Sequence, residues 1–86
     1  MDLKDTVKLM LSDDWRDRLL AEWMQVCIRY RKLTEFIIAA DRGERKFKSE
    51  RDRFHLRKQK EAMSRYIISL EARMKDAGIE FEAYKY

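Results

Sequence analysis

Proline is absent from this chain of 86 residues, and glycine occurs only at Gly43 and Gly78. Nothing therefore interrupts a long helix from within, and backbone turns that need a positive φ have two natural places to occur. The single cysteine, Cys27, excludes an internal disulfide, and with one histidine, His55, a structural zinc site has too few ligands. No apolar run approaches the roughly 20 residues of a membrane-spanning helix, and the first residues do not read as a secretory leader. The expectation is a reduced, cytoplasmic protein without a membrane segment. A glycine-rich phosphate loop is also missing. Ser12, Ser49, Ser64 and Ser69 read as caps or helix-surface residues, with no base and orienter beside them. An enzyme is not expected, nor a cofactor or metal.

Charge and apolar residues are abundant instead. Charged residues make up 42% and hydrophobic ones 45%, with a net charge of +4. That balance suits a helical protein with a solvated charged face, and its mild positive sign leaves anionic partners open.

The chain is organised around residues 15–40. Apolar residues recur at Trp15, Leu19, Trp23, Val26, Tyr30, Leu33, Ile37 and Ala40, in steps of three and four. This is the repeat of one helix face, and Leu20, Cys27 and Phe36 widen it. Ser12 reads as the N-cap, with Asp13 and Asp14 suited to the positive end of the helix dipole. Gly43 marks the other end. A helix is expected over about 13–40.

Before it, a short helix over about 2–11 places Leu3, Val7, Met10 and Leu11 on one face. After it, residues 42–60 are rich in bases with acids interspersed. Ser49 reads as the N-cap of a third helix over about 49–77, whose stripe is Leu56, Gln59, Met63, Tyr66, Leu70, Met74 and Ala77. Gly78 ends that helix, and the tail 79–86 is expected to be extended, with Ile79 and Phe81 packed on the hairpin and Tyr84 and Tyr86 following.

The fold class is thus all-α: a short N-terminal helix plus a long antiparallel two-helix hairpin, in one domain spanning 1–86. A core this small is marginal alone. The bulky stripe predicts a homo-oligomeric helical bundle with Trp15, Trp23, Tyr30, Phe36, Met63 and Tyr66 at the interface.

Candidate binding residues follow from side-chain chemistry. Gln59 on an apolar stripe is either a buried register-fixing amide or a ligand-orienting one. Arg29 and Arg73 flank the stripes, and arginine binds phosphate or carboxylate in two-pronged fashion. Arg42, Arg45, Lys46 and Lys48, with Phe47 and Phe54 among the bases, offer an anion-binding rim. The bland reading of the same connection is a solvated, charge-laced surface. His55 reads as an ordinary surface histidine.

Two stretches carry a family resemblance. Asp14-Trp15-Arg16-Asp17-Arg18-Leu19-Leu20-Ala21-Glu22-Trp23 leads into Ile28-Arg29-Tyr30-Arg31-Lys32-Leu33. Later come Gln59-Lys60-Glu61-Ala62-Met63, Tyr66, Leu70-Glu71-Ala72-Arg73 and Gly78-Ile79. These resemble the small crAss-like-phage related proteins of phages and prophages. Val26 stands where that family has leucine, and the connection here is more basic. The resemblance implies a helical hairpin of phage or prophage origin. By analogy with small phage proteins, it implies a stoichiometric inhibitor of a bacterial defence system. The partner is then a host defence protein or a small anionic nucleotide. The alternatives are a nucleic-acid-binding accessory protein using the basic 42–60 segment, or a structural phage component.

Overall fold

The computed structural model of the protein describes residues 2–85, so Tyr86 of the tail lies outside the described residues. A 3-10 turn, Leu3–Thr6, runs directly into a one-turn helix, α1 (Val7–Met10). Two long helices follow, α2 (Trp15–Asp41) and α3 (Glu50–Asp76), each of 27 residues. A second 3-10 turn, Glu82–Tyr84, closes the chain, and the described residues contain no strand. α2 and α3 are antiparallel: Trp23 meets Glu71, Glu22 meets Tyr66 and Asp41 meets Arg57. The hairpin measures 43 × 23 × 20 Å. The expected all-α class and its long hairpin are therefore what the chain adopts.

The helix ends follow from cap chemistry. Asp14, not Ser12, caps α2, its carboxylate accepting the Arg16 N–H at 3.0 Å. Ser12 sits two residues outside, accepting the Asp14 N–H at 3.1 Å and donating to Asp17 at 2.7 Å. Ser49 caps α3 as expected, accepting the Asp52 N–H at 3.0 Å. Both long helices end in paired turn bonds closed through a glycine. Gly78 N–H reaches the Lys75 carbonyl and Ile79 N–H the Met74 carbonyl; Gly43 and Glu44 do the same with Ala40 and Ala39. Gly43 (φ +80°) and Gly78 (φ +70°) take the left-handed conformation this closure requires.

The N-terminal segment departs from its expected face. Val7, Met10 and Leu11 are exposed, whereas Thr6 is fully buried and Leu3 and Leu9 are half-buried. Leu3 and Thr6 are spaced by three, the period of the 3-10 turn that opens this stretch, and that turn hands the inner face on to Leu9 of α1. Thr6 is satisfied there: its hydroxyl donates to the Leu3 carbonyl at 2.6 Å and accepts from the Gln25 amide at 3.0 Å.

The core gathers at the end of the hairpin far from its connection. Leu19, Leu20, Trp23 and Met24 of α2 meet Leu70 and Met74 of α3 and Phe81 of the tail. The Phe81 ring lies 5.3 Å from that of Trp23. Ile79 and Phe81 thus dock on the hairpin as expected, but a 3-10 turn follows in place of an extended segment. Ala21, Met24 and Ile28 are also buried, beyond the single expected stripe. α2 is flanked both by α3 and by the N-terminal segment, so its covered surface is wider than one stripe.

α3 is covered less. From Glu50 to Ser69 no residue is fully buried; Leu56, Met63 and Ile67 are half-covered, while Gln59, Tyr66 and Ile68 are exposed. Gln59 is therefore not a buried amide: with Tyr66 it lies off the packed face of α3, which Leu56, Met63, Leu70 and Met74 of the same stripe occupy. Near the connection, polar and aromatic contacts hold the pair. The Asp41 carboxylate accepts from the Arg57 guanidinium at 2.7 and 2.9 Å. Phe36 meets Phe47 edge-on at 5.6 Å, with the Arg45 guanidinium over the Phe36 ring.

Candidate functional site

Two grooves run along the α2–α3 seam. The first has a volume of about 440 Å³, within the range of small-molecule sites. Its wall on α2 is Trp23, Cys27, Tyr30 and Thr34, spaced three and four apart on one helix face, with Arg31 and Glu35 beside them. Ile67 and Glu71 of α3 form the opposite wall, and Tyr84 and Lys85 close one end. The tail reaches this place because Phe81 is seated on Trp23.

Most of this surface is apolar, so its few polar atoms stand out. The indole N–H of Trp23 donates to Glu71 Oε2 at 3.1 Å, which fixes the carboxylate in the groove. The Lys85 ammonium lies 3.8 Å from the same oxygen. The other carboxylate oxygen has no partner among the described residues. Thr34 Oγ1 is buried without a hydrogen-bond partner among the described residues. Unsatisfied polar atoms in native proteins ask for an explanation, and a ligand group would supply one. Burial pushes the Cys27 thiol up to about 11, with the nearby Glu71 charge adding to the rise. The thiol therefore stays protonated near neutrality and behaves as wall, not as nucleophile.

The second groove, about 380 Å³, has a different character. Arg57, Lys60, Glu61, Ser64 and Arg65 of α3 line it together with Tyr30. Lys60 and Arg65 make no ion pair among the described residues, whereas Arg57 is engaged by Asp41. Tyr30 lines both grooves, so an apolar slot and a cationic one meet at a single aromatic ring.

Of the residues singled out in the sequence, Tyr30 alone stands in these grooves as an open wall. Trp23 also borders the first groove, but it is 1% exposed and packs within its own chain. It is a core residue, not a surface held for another copy. Trp15 and Tyr66 are 53% and 42% exposed, and Phe36 and Met63 are half-buried. The Tyr66 hydroxyl donates to Glu22. Arg29, Gln59 and Arg73 are exposed and line neither groove, as are Arg42, Arg45, Lys46 and Lys48 of the connection. Sequence reasoning missed Thr34, Glu71 and Arg65, and reached Lys60 only as the last base of the 42–60 segment. Each reads there as an ordinary polar helix residue, and only the pairing of the two helices shows what it faces.

The Sequestin family model matches residues 13–76, which span α2, the connection and α3. The chain belongs to the Sequestin family. The match covers both helical walls of the seam, and the family name fits a protein that binds or sequesters a partner. Tyr84 and Lys85, at the end of the apolar groove, lie beyond the matched residues. No curated protein and no solved structure matches this chain.

Proposed function

We propose that this Sequestin-family chain sequesters a small anionic ligand of nucleotide type on the α2–α3 seam, acting by occupancy and without a chemical step. One observation carries the reading: Tyr30 belongs to both grooves, so an apolar aromatic slot opens beside Lys60 and Arg65. A nucleotide has matching halves, a planar base and a phosphate. In its wider setting the protein is encoded by a phage or prophage and works in the host cytoplasm. There it inhibits a bacterial defence system by withdrawing that system's nucleotide signal.

We also propose that the working form is a homo-oligomer. Residues 50–69 of α3 include no buried residue, and Phe54 and Ile68 stand exposed on one side of that stretch. A second copy of the chain is the natural cover for such a face. A nucleic-acid role for the basic connection has weaker support. Phe36 and Phe47 meet edge-on beneath Arg45 and Arg53, which leaves Phe54 as the exposed ring among the bases.

The deciding experiment is native mass spectrometry of protein purified gently from bacterial cells, followed by calorimetric titration with nucleotides. A multimer carrying extra mass of nucleotide size at each site is expected. Tyr30→Ala and the double change Lys60→Ala with Arg65→Ala should each weaken nucleotide binding by roughly tenfold or more. Protein that carries nothing and ignores nucleotides at millimolar concentration overturns the reading.

A further inference from the structure

Four charged side chains border the apolar groove, Arg31, Glu35, Glu71 and Lys85, and Glu71 among them is fixed by a contact to the core. Trp23 donates to Glu71 Oε2 from a ring that is itself locked in the core, so the carboxylate does not swing away. Glu71 is 23% exposed in its side chain, and its second oxygen is unoccupied among the described residues. Such an oxygen accepts hydrogen bonds only. A ligand filling this groove therefore either brings a donor to Glu71 or leaves a carboxylate stranded against apolar surface, which is costly.

Lys85 shows what kind of group the position takes. Its ammonium approaches Glu71 Oε2 at 3.8 Å and Glu82 at 3.5 Å, and lies 5.2 Å from the Phe81 ring centroid. The side chain is 43% exposed, and exposed pairs of this length hold weakly. The described residues after Phe81, namely Glu82, Ala83, Tyr84 and Lys85, are all exposed. Lys85 thus rests on Glu71 as a tethered cation that yields at little cost.

Building on the reading of the seam as a binding site, we propose that Glu71 is the specificity-determining acceptor of the apolar groove and that Lys85 is its placeholder. The ligand class is then narrower than an aromatic anion. It is an aromatic anion whose ring carries an amino or other N–H donor, and that donor displaces Lys85 on binding.

The test uses two small probes that differ by one group, 5-aminonaphthalene-1-sulfonate and naphthalene-1-sulfonate, titrated against the full chain by calorimetry. The wild type is expected to favour the amino probe by roughly tenfold, the usual scale of a hydrogen bond to a charged partner. Glu71→Gln keeps an acceptor for the Trp23 indole and should bind both probes alike, with circular dichroism confirming an unchanged fold. Lys85→Met should tighten the amino probe and leave the other unaffected. Equal affinity of the wild type for the two probes overturns the inference, and so does a preference that survives Glu71→Gln. An amino probe indifferent to Lys85→Met overturns the placeholder role. Failure of the wild type to bind either probe overturns the seam as a binding site, and this inference with it.

Discussion

Phe81 shows how much one residue of the tail contributes. It is 3% exposed, and its ring covers Trp23 where α2 and α3 leave that indole open. Truncating a buried phenylalanine costs about 3–5 kcal/mol, a large part of a small domain's stability. Phe81→Ala should therefore lower the urea midpoint sharply and raise the Trp fluorescence quenching by iodide. Cys27 makes a prediction about pH. Its folded pKa is raised to about 11, chiefly by burial, so the folded state keeps its proton when the unfolded chain has lost its own. The resulting stability is complete below the ordinary thiol range and is lost as pH rises toward about 11. Labelling by iodoacetamide at pH 8 should be slow in the fold and fast in urea. Asp14 titrates the other way. The Arg16 backbone N–H holds its carboxyl below the usual range, so its contribution is present at neutral pH and lost on acidification. Asp14→Ala should flatten the acid limb of the stability profile.

Each long helix is specified twice, by its stripe and by its caps. Ser49→Ala removes the acceptor for the Asp52 N–H and should cost about 1 kcal/mol in chemical denaturation. A Cβ at Gly78 would meet nothing within 4 Å, so Gly78→Ala tests backbone conformation alone and should cost about 1–2 kcal/mol. These are the features most legible in the sequence: both glycines do end helices, and Leu19, Trp23, Ile37, Leu70 and Met74 do face the interior. Other elements were legible only in part. The N-terminal segment opens with a 3-10 turn, so a search at helical period chose Val7 and Leu11 over Thr6. α3 carries a stripe, but its first half packs loosely, and Gln59 marks where the periodic reading leaves the covered face. The grooves were not legible at all. Trp23 and Glu71 are 48 residues apart, and no local pattern announces that an indole will fix that carboxylate.

For the molecule as a whole, burial is distributed unevenly along its length. The buried cluster lies at the far end of the hairpin, where Leu19, Trp23, Leu70, Met74 and Phe81 converge. Toward the connection the helices are joined by exposed ion pairs from Asp41 and by the Phe36–Phe47 contact, while Ile37 is the buried residue there. Exposed pairs of this kind hold weakly, about 1 kcal/mol or less each. Amide hydrogen exchange should accordingly show slow centres near residues 19–28 and 67–74 and faster ones over the first three turns of α3. Uniform protection along both helices would contradict this.

The uneven burial also has a mechanical meaning. A hairpin welded at one end and lightly clasped at the other behaves like a pair of tongs. The fulcrum is the Trp23–Phe81 contact and the tips are the connection. On the proposed reading of the seam as a binding site, angular play there would shift Lys60 and Arg65 toward or away from a ligand without disturbing the core that holds the arms together.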